Sequence, residues 1–295
     1  MTGREPTADV RENAENAGRE TWLHGDAHVH VHSEHDPAVL FARAIEVARE
    51  CGPLFLLLSE GFGRSYFRDL RAASADAPGG REIARLRRAG IVVEPTSERG
   101  ALRLHSAGSG DPGAVILVAG RQVVSRERLE VLLLALDPDH PLSETPDRTR
   151  GLVSLVREGL EAGAVTVMPW GFGKWLGARA RHVRAIVDLP DVHDHPLFFL
   201  GDIPARCWPW ATPRAFGAGI RVLRGTDVLP LAGSETRVAS YGFRVRGRLD
   251  PDAPCRALIA CLSERTTVEP VGGRDSLIRT LVNQVRYRLR PRGTA

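Results

Sequence analysis

The segment from His24 to His32 carries the residue types best suited to metal chemistry. Its sequence, His24-Gly-Asp-Ala-His-Val-His-Val-His32, places one carboxylate and three imidazoles at alternate positions. Alternate residues of a β-strand point to the same side, so these four side chains would share one face. Imidazole suits zinc, iron or nickel, and a carboxylate can bind a metal or orient an imidazole. We therefore predict a metal site with His28 and His30 as ligands; the alternative is a polar, exposed edge strand.

Three acidic residues stand at or shortly after later apolar runs that are typical of buried strands. Glu60 and Asp227 are predicted as further metal ligands, although an acidic residue in a turn or near a helix start is a common alternative. Asp202 is predicted as a general acid or base. Arg206, four residues later in the sequence, is predicted to stabilise negative charge that develops on a substrate.

The segment 168–177 surrounds the one lysine of the chain with aromatic residues and glycines. Of 40 basic residues only Lys174 is lysine, and lysine offers a compact charge where arginine offers a wide planar group. We predict that Lys174 contacts an anion or oxyanion, and that Trp170 and Trp175 help to bind the substrate. Glu130, at the start of another predicted strand, joins this set. The alternative is a packed aromatic loop with the lysine at its rim.

The elements that would position these residues alternate along the chain. Apolar runs suited to buried strands alternate with helical patterns, which favours βαβ units and a mostly parallel sheet. The units are numerous enough for a barrel. We predict a flexible arm at residues 1–20, a barrel at 21–245, and a C-terminal helical extension packed on the barrel at 246–295.

Composition narrows the class of protein. The N-terminal segment is polar, no apolar run is long enough to span a bilayer, and the four cysteines are scattered without a CxxC pair. We therefore expect a cytoplasmic protein with no membrane partner. The formal net charge is +4, but the arginines are interleaved with acidic residues, so we do not expect nucleic acid as a partner. A small, anionic substrate is expected, and the oligomeric state is left open.

Two of these motifs resemble the PHP (polymerase and histidinol phosphatase) superfamily. Its first motif, an Asp-x-His-x-His strand, is matched by Asp26, His28 and His30, and its last motif by Gly225-Thr-Asp227. The middle motifs depart from the family pattern. Where the family has Thr-Asp-His, a glutamate, a histidine and His-Pro, this chain has Ser59-Glu60-Gly61, Gln122, Glu130 and Met168-Pro169.

The resemblance implies a fold, a cofactor and an activity. The fold would be α/β, a distorted (β/α)7 TIM-like barrel, and the activity hydrolysis of a phosphoester on a small molecule. The cofactor would be a divalent metal (Zn, Mn or Fe), with one ion rather than three because several family ligands are replaced. Two alternatives stay open: an inactive barrel that binds an anionic or sugar ligand between residues such as Phe172 and Lys174, and a metal hydrolase of C–N bonds.

Overall fold

The structure, a computed structural model, describes residues 20–75, 80–108, 115–207, 212–264 and 267–290. The predicted arm at residues 1–20 lies outside these ranges except for its last residue. The strands are β1 (Thr21–Val29), β2 (Leu54–Leu58), β3 (Ile91–Pro95), β4 (Ala101–Ser106), β5 (Val115–Val118), β6 (Gly120–Val124), β7 (Glu130–Leu134), β8 (Val165–Pro169), β9 (Phe198–Asp202), β10 (Val222–Arg224), β11 (Tyr241–Gly247) and β12 (Glu269–Gly272). The α-helices are α1 (Pro37–Cys51), α2 (Tyr66–Ala75), α3 (Arg81–Arg88), α4 (Leu152–Glu161), α5 (Ala178–Val187), α6 (Pro190–His193), α7 (Pro254–Ser263) and α8 (Leu277–Leu289).

These strands form two mixed sheets. The larger sheet has the order β12-β11-β1-β2-β5-β4-β3, and the smaller has the order β10-β9-β8-β7-β6. In the larger sheet β1, β2 and β5 run parallel, while the outer strands pair antiparallel. In the smaller sheet β8, β9 and β10 are parallel, and β6 and β7 are antiparallel to their neighbours.

The expected (β/α)7 barrel is wrong. Within the described ranges the strands form two separate sheets rather than one closed ring. The reason lies in the connections, because a parallel pair needs a crossover of about a dozen residues or more. Only residues 96–100 join β3 to β4, only 125–129 join β6 to β7, and Ala119 alone separates β5 from β6. Connections this short have no room for a helix, so the two strands that each one joins do not form a βαβ unit with each other.

Strand β2 shows why the core reads as continuous apolar runs. Its residues Leu54–Leu58 are all buried. Phe55 and Leu57 belong to the apolar cluster that includes side chains from the smaller sheet, whereas Leu54, Leu56 and Leu58 belong to a second cluster with helices α1 to α3. A strand that is covered on both faces needs apolar residues at every position.

Helix α1 covers the outer face of the larger sheet and has clear boundary signals. Asp36 caps it by accepting a hydrogen bond from the Ala38 amide over 2.9 Å, and Pro37 occupies the first turn. Gly52 ends the helix with a φ of 94°, a conformation that glycine adopts without strain. None of the helices in the described part of the chain has the length and apolar character needed to cross a bilayer.

The two sheets touch at the ends of β1 and β2. The backbone amide of Gln122 donates to the Glu60 carbonyl oxygen over 2.9 Å. Glu60, which follows β2, and Arg121, in β6, form a parallel bridge. At the neighbouring strand end, the Asp227 amide donates to the His28 carbonyl oxygen over 2.8 Å. These contacts bring β6 and the segment after β10 to the end of β1.

Candidate metal site

His28, His30 and Asp227 form a compact cluster of ligand atoms where the two sheets touch. The Nε2 atoms of His28 and His30 lie 3.0 Å apart. One carboxylate oxygen of Asp227 lies 3.6 Å from Nε2 of His28 and 3.7 Å from Nε2 of His30. Among the described residues, this is the one group of three or more potential metal ligands whose ligand atoms all lie within 4.8 Å of one another. The chain therefore contains a candidate metal-binding cluster of two histidines and one aspartate.

The spacing of the three atoms fits a divalent cation. Ligand atoms bonded to one ion at about 2.0–2.2 Å are separated from each other by roughly 3.0–3.6 Å. The Nε2 atom of His28 also lies 3.1 Å from Oε1 of Gln122, while its Nδ1 atom is buried without a hydrogen-bond partner. One imidazole proton at Nε2 cannot serve the His30 nitrogen, the amide oxygen and the carboxylate together, whereas a cation can attract all of them.

The pKa values of His30 and Asp227 are shifted in the direction that metal binding requires. Burial and the neighbouring His28 lower the pKa of His30 well below its usual value, so its imidazole is neutral. Burial alone would raise the pKa of Asp227, but the facing imidazoles of His28 and His30 and the Lys174 charge hold it below its usual value. Neutral imidazole and ionised carboxylate are the forms that bind metal.

Gly225 and Asp227 explain how a residue so distant in sequence reaches β1. A Cβ atom at Gly225 would lie 2.3 Å from the His28 amide nitrogen, so glycine is required for this close approach. Asp227 has a φ of 47°, a left-handed conformation that aspartate tolerates better than most residues. Together these two positions turn the chain so that the Asp227 carboxylate faces the histidines.

Asp26 stabilises the segment that presents Asp227. Its buried carboxylate accepts hydrogen bonds from the amides of Thr226 and Ala239 over 2.8 and 2.9 Å, and from the Thr226 hydroxyl. Burial raises the pKa of Asp26, and these hydrogen bonds oppose the rise. The pairing of β1 with β2 shifts register between Asp26 and Val29, so strict alternation does not extend to the end of the strand.

His32 and His35 attach the end of β1 to the segment that follows Asp227. The Nε2 atom of His32 lies 3.2 Å from the Val228 carbonyl oxygen, and that of His35 lies 2.8 Å from the Leu229 carbonyl oxygen. Burial and the adjacent His35 lower the pKa of His32 to about 4. These contacts make the two histidines donors to main-chain oxygens beside the cluster.

Gln122 is the site residue that sequence reasoning missed. Its amide oxygen faces His28, although an amide is a weak metal ligand and the sequence analysis assigned it no role. The available signal was its position, because the PHP pattern has a glutamate there. Gln122 is therefore placed beside the ring nitrogen of His28 that would bind the metal.

Glu60 follows strand β2, and its side chain has a partner outside the metal cluster. Its carboxylate accepts a hydrogen bond from the Phe67 amide over 3.3 Å, at the start of α2. It lines a separate small cavity with Arg64 and Arg121. Burial raises the pKa of Glu60. Glu60 is not one of the three residues of the cluster, and its role as a metal ligand stays a prediction.

Lys174 and Glu130 form an ion pair at the wall of the cavity that contains the cluster. Lys174 packs over Gly171, where an added Cβ atom would lie 2.6 Å from Cδ of the lysine. Glu130 therefore fixes the position of the lysine charge, and Gly171 leaves room for its aliphatic chain. Both residues line the cavity, as a substrate-contacting role requires.

Asp202 and Arg206 bind each other. Both side chains are 2% exposed, and two hydrogen bonds of 2.6 Å join the guanidinium to the carboxylate. The Tyr241 hydroxyl donates a further bond to Asp202 over 2.8 Å. Neither Asp202 nor Arg206 is among the residues that line the cavity. Their catalytic roles stay predictions, and their contacts are those of a buried structural pair.

The two tryptophans of the aromatic loop belong to the hydrophobic core. Trp170 and Trp175 are 5% and 8% exposed, and the Trp175 indole nitrogen donates to the Pro169 carbonyl oxygen over 3.1 Å. Phe172 lines the cavity, but the tryptophans do not. Substrate binding by Trp170 and Trp175 stays a prediction.

The cluster opens into a cavity of about 1090 Å³ that is rich in basic side chains. The basic lining residues are Arg64, Lys174, Arg237, Arg279, Arg286 and Arg290. Arg237 pairs with Asp275 over 2.6 Å, whereas Arg64 and Arg286 form no ion pair within the described part of the chain. The acidic lining residues are Glu34, Glu130, Asp227 and Asp275, so the basic side chains outnumber the acidic ones by six to four.

Comparisons with known proteins give a distant overall likeness. No protein-family model and no curated protein sequence matches the chain. PsfC from Pseudomonas syringae PB-5123 is similar with 15% identity and a TM-score of 0.48, over 91% of this chain and 98% of that one. The lesion-specific endonuclease PfuEndoQ from Pyrococcus furiosus is similar with 12% identity and a TM-score of 0.45, over 84% of this chain and 57% of that one. The resemblance to the PHP superfamily therefore rests on the motifs of the chain.

The expectation that nucleic acid is not a partner is wrong as an exclusion, because it did not consider how the fold groups arginines that are distant in sequence. A structure of Endonuclease Q in complex with a 27-mer duplex substrate is similar to this chain, with 12% identity and a TM-score of 0.46 over 89% of this chain and 67% of that one. That expectation rested on arginines that are adjacent in sequence. The fold instead gathers Arg64, Arg237 and Arg286 from distant segments around one cavity.

Proposed function

We propose that this protein is a metal-dependent hydrolase that uses one divalent ion held by His28, His30 and Asp227. The observation that carries the proposal is the convergence of their three ligand atoms at 3.0–3.7 Å. The motifs that resemble the PHP superfamily support it, because the fold joins them through the bond from the Asp227 amide to His28.

The proposed substrate is a phosphoester. Arg64, Lys174 and Arg286 line the same cavity as His30 and Asp227, and they come from separate segments. Cationic side chains stabilise the negative charge that develops on phosphoryl oxygens in the transition state. A phosphoester therefore uses both the ligand cluster and the basic lining.

The residues of the chain have distinct parts in this proposal. A divalent ion held by His28, His30 and Asp227 would supply Lewis acidity, which would polarise an ester oxygen and make water more acidic. Lys174 holds a positive charge near the phosphoryl oxygens, and Glu130 orients it. The Gln122 amide oxygen lies beside the metal-binding nitrogen of His28, and the hydrogen bonds between Thr226 and Asp26 fix the backbone that presents Asp227.

The experiment is hydrolysis of bis(p-nitrophenyl) phosphate and p-nitrophenyl phosphate by metal-stripped protein, before and after addition of Zn²⁺ or Mn²⁺. We expect activity that depends on added metal, that is lost in Asp227→Asn, and that is kept in the control His105→Gln on β4. Activity that survives chelation, or that Asp227→Asn leaves unchanged, would contradict the proposal. Metal binding without hydrolysis of any phosphoester would favour a binding protein, and hydrolysis of amides would favour a C–N hydrolase.

A further inference from the structure

Helix α8 turns its apolar side outward. Ile278, Val285 and Leu289 are 75%, 55% and 77% exposed. Leu277, Leu281 and Val282 on the same helix are also exposed. Thr280, a polar residue, is the buried residue of this helix. An amphipathic helix on the surface of a globular protein normally has the opposite orientation, with its apolar stripe against the core.

The polar side of α8 faces the cavity above the metal cluster. Thr280, Asn283 and Tyr287 line the cavity above the metal cluster. Ser276 caps the helix start by accepting a bond from the Arg279 amide over 3.3 Å. Arg290, just after the helix, lies 3.5 Å from Glu34. Rotation of α8 to bury its apolar stripe would remove these polar side chains from the cavity lining, and in the present orientation the stripe is exposed.

The charges around the apolar stripe all have one sign. The sequence of α8 contains no acidic residue, and its arginines are Arg279, Arg286 and Arg288. Residues four or seven positions apart lie close together on a helix surface. Arg286 therefore borders the stripe beside Val282, and Arg288 borders its other edge beside Leu281. The stripe is aliphatic and has arginines along both sides.

We propose that the outer face of α8 docks on an anionic lipid surface. Aliphatic side chains enter the boundary between headgroups and acyl chains, and arginines beside them extend to the phosphate groups. A bilayer with acidic lipids complements both features of the stripe. The sequence-based expectation of no membrane partner considered segments that span a bilayer, whereas this helix would lie along its surface.

A second copy of the chain fits this face less well. A helix of this length is about 20 Å long and about 10 Å wide, and one such strip falls far below the roughly 800 Å² per partner of a stable interface. Pairing of two α8 helices would also bring arginines against arginines. The inference depends on α8 alone and not on the metal site, so it can fail or hold independently of the proposed hydrolase activity.

The test is flotation of the full-length protein with vesicles of phosphatidylcholine alone or with about 30% phosphatidylglycerol. The double variant Ile278→Ser/Val285→Ser removes two aliphatic residues from the stripe, and Val39→Ser/Val153→Ser removes two exposed valines from α1 and α4 as a matched control. We expect binding to the anionic vesicles that falls at least about tenfold in the α8 variant, is kept in the control, and weakens at high salt. Circular dichroism checks that both variants fold.

Three results would overturn the proposal. The first is no binding to the anionic vesicles, and the second is equal binding by the α8 variant and its control. The third is a dimer of the wild-type chain in light scattering that becomes a monomer in Ile278→Ser/Val285→Ser, which would assign the stripe to a second copy.

Discussion

The backbone amide of Asp227 donates to the carbonyl oxygen of His28 over 2.8 Å, and the Asp227 carboxylate lies 3.6 Å from Nε2 of the same histidine. One residue thus contacts the other through both main chain and side chain. The main-chain hydrogen bond fixes the backbone position of Asp227. The distance between its carboxylate and the His28 imidazole therefore does not depend on the side-chain conformation alone. The geometry of the cluster is therefore a property of the two segments that meet there.

Asp227→Asn and Asp227→Ala should separate the role of the carboxylate from that of the backbone. Asparagine tolerates the left-handed φ of 47°, so Asp227→Asn should unfold at nearly the wild-type temperature without metal. Alanine at this φ should lower the free energy of unfolding by about 1 kcal/mol more. Both variants should bind Zn²⁺ at least about 100-fold more weakly in calorimetric titration. Wild-type affinity in Asp227→Asn would remove Asp227 from the ligand set.

Gly225→Ala should displace the segment that presents Asp227. The new Cβ atom would lie 2.3 Å from the His28 amide nitrogen and 2.5 Å from its Cβ atom, and a main-chain neighbour cannot move aside cheaply. We expect a loss of about 1–3 kcal/mol in urea unfolding, together with weaker metal binding. Gly217→Ala is the control, since an added Cβ atom there meets nothing within 4 Å. If both variants behave alike, the close approach at Gly225 does not position the site.

Lys174→Arg should damage turnover although the charge is kept. The lysine chain packs over Gly171 and its ammonium pairs with Glu130, and a wide planar guanidinium would not place its charge where the compact ammonium does. We expect kcat/KM on a phosphoester to fall about tenfold or more, which corresponds to about 1.4 kcal/mol of transition-state stabilisation. Arg150→Lys, in an exposed pair with Glu158, is the control. Full activity of Lys174→Arg would mean that Lys174 lies only at the rim.

The metal-free protein should lose stability in mild acid because of His32. The pKa of this imidazole is about 4 in the folded protein, and about 6.5 in an unfolded chain. Between these pH values the unfolded chain binds a proton that folded His32 does not, so the free energy of unfolding falls as pH drops from about 6.5 to about 4. His32→Gln should show a smaller fall than wild type in urea unfolding with EDTA, and His105→Gln should match wild type. An unchanged fall in His32→Gln would contradict this assignment.

The positions of the strands could be predicted from the sequence better than the pairing of one strand with another. The run Leu54–Leu58 is apolar because both faces of β2 are buried, and this is visible in the sequence. What is not visible is pairing, since Ala119 alone separates β5, in the larger sheet, from β6, in the smaller one. Periodicity describes the faces of a strand and carries no information about its neighbours. The barrel expectation failed for this reason.

The metal cluster was predicted in part for a related reason. The His28 and His30 pattern and the Gly225-Thr-Asp227 turn are local signals, and the fold brings them together. The orientation of Glu60 is not a local signal, because the start of α2 offers the Phe67 amide to its carboxylate. The burial of Trp175 likewise depends on packing with Phe216, which is distant in sequence.

The most direct test of the account is anomalous diffraction from crystals of the metal-stripped protein soaked in Zn²⁺ and measured at the zinc edge. We expect one strong peak per chain, at bonding distance (about 2.0–2.2 Å) from Nε2 of His28, Nε2 of His30 and a carboxylate oxygen of Asp227. A peak elsewhere, or no peak at these residues with zinc well above the concentration of the protein, would contradict the central claim.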